Sequence, residues 1–420
     1  MNVLHINQSD IIGGAAIAAY RLHESLINEK IGSKLLVDKS QSGNSLVSTI
    51  SRKRYVEGLT GRLGYHIGLN YVNLISSFKI PRDRFYIESD ILNFHNLHGD
   101  YFNYLSIPRL TRDKPAVLTL HDMWSFTGHC AYSFSCDRWK SGCGNCPSLE
   151  SCPSTGRDNT RIEWKLKRWS YNHSNLTIVS PSKWLANLVP ESLLSNFPIY
   201  HIPNGVDTDA YLPLEPEMCR SALGIPINKR VILFMAHGLK DSRKGGDLLT
   251  LALQKLPNST KSDILLIIIG EGGSNLSSLP DIQTMSLGYI GGDRLKAIAY
   301  NAADIFICPT RADNLPIVLQ ESMACGTPMV SFDVGGVPEL VRPNLTGLLA
   351  KAEDTSDFAA KIVQLLYDTQ MRERMSHICR ETALEEYSIN LQAKRYVSVY
   401  KKILARRTTG LPRIGSSRDK

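Results

Sequence analysis

Short apolar runs return through the whole chain at the spacing of a repeated strand–helix unit, and nothing else narrows the possible folds as far. In the first half these runs cover residues 2–6, 34–37, 91–95, 116–121, 176–180 and 200–203. In the second half they cover 231–236, 264–269, 284–287, 305–308 and 329–332. Segments of helical periodicity lie between them, beginning with Ala15 to about Lys30, where Ala15, Ala19, Leu22 and Leu26 fall on one face. Such alternation predicts parallel sheets covered by helices. A chain of 420 residues is too long for one ordinary core and suits two such units. The turn-rich break at Asn204-Gly205-Val206-Asp207 is the expected boundary. The expected fold is α/β, two Rossmann-like doubly wound domains over 1–203 and 204–388. A helix over 389–405 is expected to pack back on the first domain, ahead of a basic flexible tail, 406–420. Paired sheets of this kind make a cleft of their strands' carboxyl ends, where open α/β sheets bind ligands.

Hydrophobic content of 43% and charged content of 21% describe an ordinary globular chain. The longest apolar run, Ile264 to Ile269, is far below the ~18 residues that span a bilayer. The sequence opens directly on a strand, without a secretory signal, so the expected location is the cytoplasm. The net charge of +8 is uneven: residues 401–420 carry seven basic side chains against one acidic. A second cluster, Arg52, Lys53, Arg54, Arg62, Lys79, Arg82 and Arg84, is interleaved with Tyr55, Tyr65, Tyr71 and Phe78. Both fit a solvated face. The second also fits docking on anionic headgroups at the inner face of the membrane. No nucleic-acid motif accompanies the charge, so nucleic acid is not an expected partner.

Chemistry-bearing residues gather where strands end. Gly13-Gly14 joins the first strand to the first helix, where glycine allows close approach of a phosphate and the helix N-terminus favours its charge. The pair is not Gly-x-Gly-x-x-Gly, which argues against a nicotinamide cofactor. His95-Asn96-Leu97-His98 and His121-Asp122 end two later strands; the histidines can hydrogen-bond a sugar, and Asn96 and His98 lie on the side expected to take an acceptor. In the second half, Ser242-Arg243-Lys244-Gly245 brings two cations to the equivalent position, suited to a diphosphate and to the charge developing when it leaves. The stretch Ile305 to Pro328 reads as a strand, a polar loop with Asp313, Asn314 and Leu315, and a helix starting near Leu315 that carries Glu321 and stops at Gly326 and Pro328. Taken alone, Asp313 could simply cap that helix.

Five of nine cysteines, Cys130, Cys136, Cys143, Cys146 and Cys152, fall within 23 residues. Cys143-Gly-Asn-Cys146 is a two-residue knuckle, and with Cys130 and Cys136 it makes a candidate structural zinc site. Free or redox-active thiols and disulfides remain alternatives.

Together these residues resemble a retaining glycosyltransferase of family 4 with the GT-B fold, over roughly residues 1–405. The likeness rests on Asn204-Gly205-Val206-Asp207, Arg243-Lys244-Gly245, Pro309 to Pro328, Gly335-Gly336-Val337-Pro338-Glu339 and Asn344-Leu-Thr-Gly347. The segment His121-Asp122-Met-Trp-Ser-Phe-Thr-Gly-His-Cys, continued by Gly142-Cys-Gly-Asn-Cys-Pro, is similar to an exopolysaccharide and colanic-acid-type branch. The resemblance implies transfer from a nucleotide-diphosphate sugar to a glycan or polyprenyl-linked oligosaccharide in exopolysaccharide, capsule, O-antigen or lipopolysaccharide synthesis. It implies Glu321 on the nucleotide ribose, Asp313, Asn314 and Leu315 on the donor sugar, and Arg243 and Lys244 on the diphosphate. Gly13 and Gly14 face that diphosphate, and His121 and Asp122 serve the reaction centre. No metal is implied for catalysis. Two positions depart from the family pattern: Asp313 replaces the usual glutamate, and Leu239 stands where an arginine is usual. A nucleotide-sugar epimerase and an inactive nucleotide-binding scaffold are the competing readings.

Overall fold

A computed structural model describes residues 1–238, 240–272 and 281–408 and divides into two compact units. Met1–Pro203 and the chain from Gln392 form the first, and Asn204–Leu391 the second. Leu239 and the last twelve residues of the basic tail lie outside the described residues.

The first unit is a parallel sheet of seven strands: β1 (Asn2–Ser9), β2 (Gly32–Lys39), β3 (Val47–Thr49), β4 (Ile91–Phe94), β5 (Ala116–Thr119), β6 (Leu176–Ser180) and β7 (Ile199–His201). Their order, β3-β2-β1-β4-β5-β6-β7, reverses direction between β1 and β4. β3 was not expected from the sequence, because three residues at a sheet edge carry no readable periodicity. Its helices include α1 (Gly14–Asn28), α2 (Arg54–His66) and α3 (Thr160–Asn172).

The second unit holds six parallel strands: β8 (Arg230–Gly238), β9 (Ile264–Glu271), β10 (Gln283–Gly288), β11 (Ile305–Cys308), β12 (Met329–Phe332) and β13 (Gly347–Ala350). The order is β10-β9-β8-β11-β12-β13, with the reversal between β8 and β11. The run Ile264–Ile269 shows why parallel strands read as continuous apolar segments. Leu265, Ile267 and Ile269 join one core cluster, while Ile264, Leu266 and Ile268 join another on the opposite face.

Helix α4 (Gly246–Gln254) follows β8, and α5 (Ile317–Ala324) follows β11. α5 starts at Ile317, two residues later than the sequence reading near Leu315. Pro316 sits at its N-cap with ψ 120, and a proline also disfavours helical geometry in the residue before it. Gly326, at φ +75, ends the helix in the left-handed conformation that glycine favours. The last helix, α6 (Ile389–Thr408), places Tyr396 and Tyr400 in the core beneath the first sheet. There the Tyr396 hydroxyl lies 3.1 Å from Thr119 Oγ1, and Asn93 Nδ2 donates to the Tyr400 hydroxyl at 2.7 Å.

Candidate active site

In the second unit the loop after β8 carries the cations. Asp241 accepts a hydrogen bond from the Arg243 backbone N–H at 3.0 Å and starts a short 3-10 turn over Ser242–Lys244. Gly245 follows at φ +71, and a Cβ there would come within 1.8 Å of the Pro309 carbonyl oxygen. Only glycine lets this loop lie against the exit of β11. The Arg311 backbone N–H donates to the Arg243 carbonyl at 2.8 Å, and the Arg311 guanidinium forks onto Asp247 at 2.8 and 2.6 Å. The loops leaving β8 and β11, the two strands at the reversal point, are thereby tied together.

Those ties set Lys244 Nζ 2.6 Å and Arg243 Nη1 3.2 Å from Asp313 Oδ2. Asp313 is only 8% exposed. Burial pushes its pKa up, but Lys244 and Arg243 outweigh that and hold the carboxyl below its ordinary value. Asp313 Oδ1 accepts the Asn314 N–H at 3.0 Å, and its carbonyl accepts the Gly336 N–H at 3.1 Å. Gly335 makes that approach feasible, since a Cβ there would stand 2.2 Å from the Asp313 carbonyl oxygen. Asn314 and Leu315 are buried in the same loop. Asp313 therefore does not cap α5; it is an anchored anion in a cationic clamp. Glu321 lies on the second turn of α5, buried, and accepts a hydrogen bond from the Tyr300 hydroxyl at 3.2 Å. Burial and the neighbouring Glu321 push the Tyr300 pKa well above 10, so this hydroxyl stays a donor.

In the first unit the named residues sit where β1, β4 and β5 end, again at the reversal point. Gly13, at φ +87, is the N-cap of α1, and Gly14 opens the helix, whose first N–H groups lack partners within it. His98 Nε2 is 2.8 Å from Asp122 Oδ2, and Asp122 Oδ1 accepts the Trp124 N–H at 2.8 Å. Burial works against the Asp122 charge, but His98 and these hydrogen bonds prevail and its pKa is lowered. His121 Nε2 is 3.0 Å from His95 Nδ1. Burial lowers the His121 pKa to about 4, so its imidazole is neutral at pH 7. Asn96 is half-buried, and its carbonyl accepts the Tyr101 hydroxyl at 2.9 Å. His95 thus pairs with His121 and His98 with Asp122, two contacts made at consecutive residues, whereas Asn96 is held by its backbone.

Cys130, Cys136, Cys143 and Cys146 line one small cavity of about 20 Å³, together with His129. All nine cysteines are free thiols. Cys143, Gly144 and Asn145 all have positive φ, which folds the knuckle tightly. The Gly128 N–H points at Cys143 Sγ at 3.1 Å, and His129 Nε2 is 3.3 Å from Cys146 Sγ. Burial raises the pKa of Cys130 to about 12 and of Cys143 to about 11. Among the described residues, no group of three or more His, Cys, Asp or Glu side chains is arranged to hold a metal ion.

Sequence reasoning missed Tyr300, the Arg311–Asp247 fork and His129, none of which left a local signal.

Two family models account for most of the chain. Residues 12–210 match Glycosyltransferase Family 4, and residues 218–382 match Glycosyl transferases group 1. The putative colanic acid biosynthesis glycosyl transferase WcaC of Escherichia coli (strain K12) is 25% identical over 96% of this chain and 100% of its own length. Other curated relatives match over little more than half of their length. Among solved structures, a sucrose-phosphate synthase from Thermosynechococcus elongatus superposes with TM-score 0.71 at 17% identity, covering 96% of this chain and 100% of that one. Anabaena Alr3699/HepE, solved in complex with UDP and glucose, superposes with TM-score 0.69 at 17% identity and the same coverage. With both halves matched in the right order and the two parallel sheets in place, the chain belongs to the GT-B glycosyltransferases, with a family 4 amino-terminal half and a group 1 carboxy-terminal half.

Proposed function

We propose that the chain transfers a sugar, with retention, from a nucleotide-diphosphate sugar to a glycan or lipid-linked oligosaccharide in surface polysaccharide synthesis. The observation that carries this reading is the clamp of Lys244 and Arg243 on buried Asp313 at the reversal point of the second sheet. Lys244 has three N–H donors, and Asp313 engages one of them, so the ammonium can also serve a diphosphate oxygen. Asp313, Asn314 and Leu315 are assigned to the donor sugar and Glu321 to the ribose hydroxyls. Gly13 and Gly14 are assigned to the diphosphate, His121 and Asp122 to the reaction centre, and Asn96 and His98 to the acceptor. The anomeric carbon–oxygen bond to the diphosphate breaks as the acceptor oxygen bonds that carbon on the same face. The departing phosphate oxygen takes the acceptor proton. Cations of the chain stabilise the charge on the leaving group, so no metal is needed for this step. WcaC, named for colanic acid synthesis, and HepE, solved with UDP and glucose, support the pathway and donor class. A panel of nucleotide sugars tested by thermal shift is expected to give one donor that raises the Tm by several degrees. A panel in which none does so would overturn the donor assignment.

The membrane reading has its support on α2. Its inward face holds Glu57 and Gly64, while Tyr55, Leu59 and Leu63 follow one another at helical spacing on the outward face, 81%, 55% and 62% exposed. Arg62 and His66 share that side, and the one carboxylate of the helix, Glu57, is buried against Arg52. An exposed apolar stripe beside Arg62, with no acid, suits an anionic bilayer surface. No helix among the described residues is long and apolar enough to cross one. The chain is expected to sediment with vesicles of phosphatidylglycerol and phosphatidylcholine, less so in high salt, and not with phosphatidylcholine alone. The Leu59→Glu/Leu63→Glu variant should stay in the supernatant; undiminished sedimentation would contradict this role of α2.

For the thiol cavity we propose a structural zinc ion held by Cys130, Cys136, Cys143 and Cys146. The four sulfurs share one small cavity, and the Gly128 N–H that points at Cys143 Sγ would stabilise that sulfur as a thiolate once a metal displaces its proton. Elemental analysis of the purified chain should find one zinc per molecule, and Cys143→Ser should lower both zinc content and Tm. A zinc-free protein indifferent to that substitution would exclude the site.

A further inference from the structure

Helix α3 turns a line of polar side chains inward. Glu163, Lys167 and Ser170 fall at i, i+4 and i+7, and all three are buried on a face that also holds Trp164 and Tyr171. Two of them hold Tyr104: its hydroxyl donates to Glu163 Oε2 at 2.6 Å, and its carbonyl accepts the Ser170 hydroxyl at 2.6 Å. Lys167 reaches further. Its ammonium donates to the Trp124 carbonyl at 2.8 Å and to the Thr127 carbonyl at 3.1 Å, and stands 3.6 Å from the centre of the Trp124 ring. Two carbonyls and an indole face account for its three N–H donors. Burial lowers the Lys167 pKa to about 8 against the opposing charge of Glu163, so the side chain is still mostly an ammonium at pH 7.

A buried ammonium is a poor means of stabilising a fold, because apolar side chains of similar volume often serve as well or better. What it does that a methionine could not is fix the direction of two carbonyls. Those carbonyls belong to the turn that follows β5, where the Phe126 and Thr127 N–H groups return to the Met123 carbonyl at 3.0 and 3.2 Å. Trp124 is thereby held at three points. Its carbonyl and ring lie on Lys167, and its N–H donates to Asp122 Oδ1 at 2.8 Å. The other Asp122 oxygen faces His98 Nε2 at 2.8 Å, and the Trp124 ring lies beside the His98 imidazole, centroids 5.6 Å apart. The contacts run unbroken from α3 to the His98–Asp122 pair.

We infer that Lys167 is a positioning residue: by pinning the Trp124–Thr127 turn it fixes the Asp122 carboxylate, and with it His98, for the reaction centre. The inference rests on the assignment of Asp122 to that centre and of His98 to the acceptor. Lys167 is fully buried and touches no substrate itself. Its loss should spare the donor contacts assigned to Lys244, Asp313 and Glu321 and slow the transfer step, since a displacement of about 1 Å at a reaction centre costs about a hundredfold.

Lys167→Met keeps the length of the side chain and loses its charge and its donors. The His98 side-chain resonances of the whole chain, assigned through His98→Gln, are followed by ¹⁵N-edited NMR without substrate, and kcat and donor KM are measured beside them. The resonances should move, and kcat should fall about a hundredfold with the donor KM little changed. The substitution also leaves Glu163 buried without its cation, so a lower Tm is expected. Glu163→Gln/Lys167→Met removes both charges and should regain Tm without regaining kcat or the parent His98 resonances. Recovery of kcat along with Tm would make Lys167 a residue of the fold alone and overturn the inference, as would loss of the fold in both variants. His98 resonances unchanged in a folded variant overturn it too, whatever the fate of the transfer assignment, because no substrate enters that measurement.

Discussion

Lys244→Ala should lower transfer at least ~100-fold while leaving the protein folded. Removing one donor aimed at developing charge costs about 2.7–4 kcal/mol of transition-state stabilisation in a preorganised site. Lys244 is the closer of the two cations on Asp313, and it stands on a loop whose glycine turn and ties to the β11 exit allow little drift. The fold should survive because Asp313 keeps Arg243 at 3.2 Å and the Asn314 N–H at 3.0 Å. Stability should nevertheless change with a particular pH dependence. In the parent chain Asp313 has a lowered pKa, so it contributes stability above the unfolded carboxylate pKa of about 3.9, and that contribution is lost as pH falls through the folded value. Without Lys244, burial counts more heavily against the carboxylate. The Tm gap between parent and variant should therefore be widest near neutrality and close in acid. Circular dichroism melts across pH, beside turnover assays, check both parts, and full turnover by the variant would remove Lys244 from the reaction.

Glu321→Ala should weaken binding of the donor nucleotide by about ten- to a hundredfold, the worth of one or two hydrogen bonds to a charged acceptor. Glu321 is buried on a short helix with the Tyr300 hydroxyl held against it. Truncation also strands that hydroxyl, so part of any loss could arise from disorder in the site. Glu321→Gln separates the effects, because the amide oxygen still accepts from Tyr300 but carries no charge. Calorimetry should rank affinity as parent, then Gln, then Ala. Equal affinity in all three would dissociate Glu321 from the nucleotide.

What the sequence disclosed followed the physics of each element. β11 and β12 were legible to the residue because parallel strands buried on both faces read as unbroken apolar runs. β3 and β13 were not, since each is three or four residues at a sheet edge held by pairing that no local pattern announces. The start of α5 was misplaced through reading helical residues up to Leu315 and neglecting what Pro316 imposes on its neighbour. In the site, Asp313 and Lys244 could be named because their residue types match the chemistry. Their mutual contact could not, because residues 69 apart in sequence meet only through the order of the sheet. The same holds for Tyr300 on Glu321 and for Lys167 on Trp124.

The most direct measurement is release of nucleoside diphosphate from the identified nucleotide sugar, with and without a lipid-linked oligosaccharide acceptor, followed by NMR of the product linkage. Release that depends on acceptor, gives a glycosidic bond of the donor's own anomeric configuration and is abolished in Lys244→Ala is the expected result. An isomerised sugar from donor alone, or no acceptor-dependent release with any donor that binds, would contradict it.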